Sequence, residues 1–155
     1  MIRSIGFRVE PKAINYAVVT GTKQEPELLY YNTMNAPKSY DQEASRLLWY
    51  RNRLVTILSN DQIDFGVIRL PESVAQTKRN LLLQRARIEG LIFAVLKELG
   101  IDCTAGALNT ISSDINSKSA KKYLSQDDFR DLNWSSIKNK NQREAILTAV
   151  TKLED

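Results

Sequence analysis

The sequence predicts an α/β fold: a mixed five-stranded sheet with helices on both faces. Three observations carry this reading. The chain opens with three strand-like segments joined by short turns. It then alternates helix, strand, long helix, strand, and it ends in helical pieces. A meander followed by such alternation gives a mixed sheet covered on both sides.

In the first segment Ile5, Phe7 and Val9 alternate with Gly6, Arg8 and Glu10, so the strand has two chemically different faces. Glu10-Pro11-Lys12 breaks the alternation, and Ile14 to Thr20 resumes it as a return strand. Glu27 to Met34, rich in Leu and Tyr, reads as a third strand. A helix is expected from near Asp41 to Ser59, with Ala44, Leu47, Leu48, Leu54, Val55 and Leu58 at helical spacing. Asp64 to Leu70 is a short apolar segment bounded by turn residues, which suits a buried fourth strand, and Pro71 stops it. The next helix is expected over roughly Val74 to Leu99. Its second half, Leu91 to Leu96, is apolar almost all round, as in a helix buried between layers. Gly100 ends it, and Ile101 to Leu108 reads as a fifth strand. From Asn109 to Lys140 the pattern is weak, with two helical pieces expected at Lys118–Leu124 and Gln126–Leu132. A final helix is expected from Asn141 to Leu153, with Ala145, Ile146, Ala149, Val150 and Leu153 on one face.

The 155 residues suit one domain with one core, so residues 1–155 are read as a single domain. The longest apolar run is far too short to span a bilayer. Arg3, Arg8 and Glu10 interrupt any secretory signal pattern, so a soluble cytoplasmic protein is expected. There is no histidine and a single cysteine, Cys103. This removes histidine-based catalysis, an internal disulfide and a cysteine zinc cluster. Any metal chemistry would rest on carboxylates and a hard cation such as Mg²⁺. The net charge of +4 is compatible with a nucleic-acid partner without requiring one.

Four stretches resemble the RuvC-type Holliday-junction resolvase branch of the ribonuclease H-like superfamily. Gly6-Phe7-Arg8, followed by Tyr16-Ala17-Val18-Val19, resembles its Gly-apolar-Asp strand and return strand. Val67-Ile68-Arg69 resembles the later strand that ends in a catalytic glutamate, and Gln84-Arg85-Ala86-Arg87 leading into Gly90-Leu91-Ile92 resembles the helix packed beside it. Asn141-Gln142-Arg143-Glu144-Ala145-Ile146 resembles the final helix, where two acids three residues apart precede an apolar face. The resemblance implies strand order 3-2-1-4-5 and two divalent cations held by four carboxylates that cleave a phosphodiester. It implies a homodimer only by analogy.

At the four positions this chain carries Arg8, Arg69, Asn141 and Glu144. One carboxylate is left of four, and a cationic side chain cannot ligate magnesium. Two readings stand for Arg8 and Arg69: strand-end surface arginines, or a facing pair that needs an anion such as Glu144 or a phosphate. The function expected first is a catalytically degenerate module that binds DNA or RNA, or a protein partner, with no resident cofactor. Its candidate nucleic-acid track is Lys78, Arg79, Arg85 and Arg87 on the long helix, with Lys118, Lys121 and Lys122 beyond it. Lys138 and Lys140 also fall in the polar stretch bordering that face. The alternatives are a Mg²⁺-dependent nuclease with relocated acids Glu10, Glu72 and Glu144, and a scaffold subunit that touches neither nucleic acid nor membrane.

Overall fold

The computed structural model describes residues 1–72 and 78–155. Strands β1 (Ser4–Glu10), β2 (Ala13–Gly21) and β3 (Pro26–Asn35) form an antiparallel meander. Helix α1 (Glu43–Asn60) leads to β4 (Phe65–Arg69), which lies parallel to β1. Helix α2 (Arg79–Glu98) leads to β5 (Asp102–Gly106), parallel to β4. The sheet has five strands in the order β3-β2-β1-β4-β5, as expected from the sequence. Helix α3 (Leu108–Asp114), a 3₁₀ helix (Ala120–Ser125) and a small hairpin of β6 (Asp128–Phe129) and β7 (Leu132–Asn133) come next along the chain. Helix α4 (Lys140–Val150) comes last.

The alternation in β1 and β2 sorts side chains between two cores. Ile5, Phe7, Val9, Ile14, Tyr16 and Val18 face α1 and α2, where Tyr50, Leu54, Leu58, Ile88, Ile92, Val95 and Leu96 close over them. Ala17 and Val19 face the other way, toward α3, the hairpin and α4. Burying both faces of the sheet lets its central strands carry few charges.

Four expectations need correction. The Gln126–Leu132 stretch is not helical: it supplies β6 and the turn into β7, and stacking of Phe129 on Trp134 (centroids 5.8 Å apart) fixes that hairpin. Leu108 belongs to the start of α3 rather than to the fifth strand, which ends at Gly106. The Leu91–Leu96 turn of α2 is not enclosed all round, because Phe93 stays 37% exposed while Ile92, Val95 and Leu96 are buried. Helix α4 stops at Val150, although Leu153 still packs into the second core. The expected start of the long helix at Val74 lies outside the described residues, and α2 begins at Arg79 with Lys78 at its N-cap.

Helix α4 lies directly against β1, because Gly6 has no side chain. A Cβ there would collide with the carbonyl oxygen of Ala145 and the amide nitrogen of Ala149, both backbone atoms of α4. The opposite side of α4 is tied down by Arg143, a buried cation the sequence did not flag. Its guanidinium donates to the carbonyls of Ile137 (2.6 Å), Gln126 (2.7 Å), Leu124 (3.0 Å) and Trp134 (3.1 Å), and it lies 5.1 Å from the Trp134 ring centroid. One side chain thereby satisfies carbonyls along the whole segment that leads into α4. Gly6→Ala should therefore lower stability by about 1–3 kcal/mol, the range for overpacking a filled site. Gly90→Ala, at a helical glycine with open space around it, should raise it by about 0.5–1 kcal/mol. Urea denaturation of the two variants checks the pair, and a neutral Gly6→Ala would contradict the packing described here.

Candidate functional site

The carboxyl ends of β1 and β4 bring the charged residues together. In the sheet register Asn15, Arg8, Arg69 and Gly106 form one row across β2, β1, β4 and β5. Arg8 and Arg69 are thus direct neighbours on parallel strands. Glu144, one turn into α4, is aimed at them because Gly6 lets the helix sit low on the sheet. Glu144 Oε2 lies 2.5 Å from Arg8 Nε and 3.5 Å from Arg69 Nε. All three side chains are largely shielded from solvent, with Arg69 only 4% exposed. Arg69 also donates through Nη1 to the Leu70 carbonyl and approaches Glu72 Oε1 at 3.4 Å. Glu72 in turn accepts from the Leu108 amide at 3.1 Å, holding the start of α3 against the site.

A second pair comes from α2. Arg85 and Glu89 are four residues apart on one helical face, and Glu89 is buried. Burial raises the Glu89 pKa above the ordinary carboxylate range, while the charges of Arg85, Arg8 and Arg69 pull it back. Burial lowers the Arg69 pKa, Glu144 opposes that, and the charge of Arg8 reinforces it. Burial also lowers the Arg85 pKa, helped by Arg8 and opposed by Glu89. Arg8 and Arg69 thus meet the partly buried Glu144 directly, whereas Arg85 and buried Glu89 form no ion pair among the described residues. Several of their atoms (Arg8 Nε, Arg69 Nε, Arg85 Nε and Nη2, Glu89 Oε2, Glu144 Oε2) have no aligned hydrogen-bond partner among the described residues.

Solved structures share this architecture. RuvC from Thermus thermophilus, in complex with a Holliday junction substrate, superposes with a TM-score of 0.76 over 97% of this chain and 92% of that one, at 12% identity. The fold is that of RuvC. A further Thermus thermophilus RuvC structure gives a TM-score of 0.74 at 14% identity, again over 97% of this chain and 92% of that one. A Fowlpox virus resolvase with its Holliday junction DNA gives 0.51 at 9% identity, over 96% and 97% of the two chains. No protein-family model matches the sequence, and no curated protein matches it.

The divalent-metal pair that the sequence resemblance implies does not fit the residues present. Two of the groups facing the strand ends are guanidinium cations, and the oxygen of Glu144 is already set against them. Among the described residues no group of three or more His, Cys, Asp or Glu is placed to share an ion. The relocated trio Glu10, Glu72 and Glu144 is not assembled. Glu72 and Glu144 line one cavity, but Glu10 lines a separate depression with Asn80, Leu81 and Gln84. The reason is local: Asn15 donates to Glu10 Oε2 at 2.8 Å and holds it at the β1–β2 end. Asn141 is at the start of α4, its backbone amide donating to the Asn139 side chain, and it does not join the arginine cluster.

The basic residues divide into three groups. Lys78 and Arg79 are exposed at the start of α2. Arg85 turns into the buried cluster, and Arg87 pairs with Glu43 at 2.8 Å, so neither stands free as part of an open track. Lys118 and Lys121 line a cavity beside Arg69 together with Lys140, whereas Lys122 stands over the Tyr123 ring at 4.8 Å. Glu89 is the site residue that sequence reasoning missed. Its signal was available in the four-residue spacing from Arg85 on a helix expected to pack on the sheet.

Removing the Glu144 carboxylate leaves Arg8 without its ion-pair partner and Arg69 with Glu72 alone. Glu144→Ala should therefore destabilise the fold by about 3–5 kcal/mol, the cost of breaking a buried pair. Chemical denaturation measures it. An unchanged or higher stability would show that Glu144 is not held as an ion-pair partner.

Proposed function

We propose that this chain is a RuvC-fold module that binds nucleic acid without cutting it. The observation that carries the reading is the position of Glu144 between Arg8 and Arg69 at the ends of adjacent parallel strands. A nuclease of the kind the resemblance implies needs carboxylates there to hold metal ions, which activate water and stabilise the leaving oxygen. Arginines at those strand ends engage the one acid that remains of the four aligned positions, so it is not free to hold a metal ion. Two of the similar structures are resolvases bound to Holliday junction DNA, which supports DNA, and branched DNA first, as the partner. The exposed Lys78, Lys118, Lys121 and Lys140 suit contact with phosphates.

Binding of this kind is electrostatic. Affinity for a four-way DNA junction, measured by fluorescence anisotropy, should fall linearly on a log–log plot against salt, with a slope of about −0.9 per phosphate contacted. Incubation with Mg²⁺ or Mn²⁺ should leave junction and single-stranded DNA intact. Metal-dependent cleavage that disappears in Glu144→Ala would overturn the reading. Salt-independent binding, or none near physiological salt, would point instead to a scaffold role.

A further inference from the structure

Beside Arg69 is a cavity of about 560 Å³ lined by Arg69, Glu72, Lys118, Lys121, Lys140 and Glu144 among others. We propose that it is a phosphoryl-binding site that works without a metal ion. This deepens the nucleic-acid reading by naming the place and chemistry of one contact, and it rests on that reading only for the source of the phosphate.

Four features point to an anion. First, four cationic side chains meet two carboxylates on the cavity wall, leaving an excess of two positive charges. Second, both carboxylates are already engaged, Glu144 by Arg8 and Arg69, and Glu72 by Arg69 and the Leu108 amide. The lysines have no such partner: among the described residues none of Lys118, Lys121 or Lys140 forms an ion pair. Third, Arg69, whose side chain is only 5% exposed, puts a buried guanidinium on the cavity wall, and its contacts with Glu144 at 3.5 Å and Glu72 at 3.4 Å are long for charge-assisted hydrogen bonds. Fourth, Lys140 is the first residue of α4, whose first turn contains no acid. A cation is disfavoured at a helix N-terminus, where the backbone amides and the helix dipole favour negative charge. A phosphoryl group seated there would satisfy the lysines, the arginine and the helix end together.

The site is not the Arg8–Arg69 gap itself. Glu144 fills that gap, and Arg8 does not line the cavity. The lysines from the segment between α3 and α4 move the anion to the outer side of Arg69. The volume suits a phosphate with its attached sugar, not a duplex. Two sources share this chemistry: a phosphodiester within a strand and a phosphomonoester at a strand end.

The test uses the whole chain in EDTA. Inorganic phosphate should raise the melting temperature in a concentration-dependent way, by mass action, beyond sodium chloride at equal ionic strength. Lys121→Gln/Lys140→Gln changes exposed side chains, so folding is retained. The double variant should bind phosphate about tenfold or more weakly, as loss of charge-assisted hydrogen bonds implies. Single-stranded oligonucleotides with a 5′-phosphate or a 5′-hydroxyl distinguish the sources. Tighter binding of the phosphorylated strand assigns the site to strand ends, and equal binding that still weakens in the double variant assigns it to the backbone. No phosphate-specific shift, or an unchanged shift in the double variant, overturns the inference. If that happens while junction DNA still binds, the inference fails and the nucleic-acid reading stands. A phosphate shift without DNA binding gives the reverse.

Discussion

A single carboxylate set against two arginines organises this structure. Glu144 reaches Arg8 and Arg69 only because β1 and β4 are parallel neighbours in register, and because α4 lies close on β1. That closeness depends on Gly6, where any side chain would meet the backbone of α4. The far side of α4 is fixed by Arg143, whose donors reach the carbonyls of the 3₁₀ helix, the hairpin and the loop before the helix. The two charged contacts have opposite logic. Arg143 is a cation wrapped in carbonyl oxygens and stacked near Trp134, so its charge is absorbed by the protein. Arg8 and Arg69 are met by carboxylates instead, Glu144 between them and Glu72 beside Arg69.

The charged cluster extends to α2. Glu89 adds a second buried acid, but Arg85 arrives with it, one turn before it on the same helix. With Glu72 beside Arg69, the cluster holds three arginines and three carboxylates. Burial works against both signs of charge, raising the Glu89 pKa and lowering those of Arg69 and Arg85. Arginines held this close together depend on the carboxylates set among them. The same arginines would repel a divalent cation.

Much of this was legible in the sequence. The alternation of Ile5, Phe7 and Val9 and the return through Ile14 to Thr20 define the central hairpin. Pro71 closes the fourth strand and Gly100 closes the long helix, so strand order and the neighbouring positions of Arg8 and Arg69 could be reached from the residues and the resemblance. The stretch from Leu108 to Asn139 was legible only in the short helical piece expected at Lys118–Leu124, where the 3₁₀ helix Ala120–Ser125 lies. Helix α3 has seven residues, too few for a clear period, and the β6 and β7 strands have two residues each. Their conformation is set by tertiary contacts, chiefly Phe129, Trp134 and Arg143, rather than by local propensity. Arg85 and Arg87 were misleading for a related reason. A basic run on a helix looks like an open track, and only the fold reveals that the guanidinium of one is withdrawn from solvent and the other is engaged by Glu43.

Glu144 is either an ion-pair partner or a metal ligand, and the two roles have opposite consequences for a divalent cation. Titration of Mn²⁺ into the purified protein, followed by the loss of the free-ion electron paramagnetic resonance signal, addresses that choice directly. An ion-paired Glu144 predicts that wild type and Glu144→Gln leave the same free Mn²⁺ signal at every concentration up to the millimolar range. Stoichiometric Mn²⁺ uptake by the wild type that is lost in Glu144→Gln would contradict it.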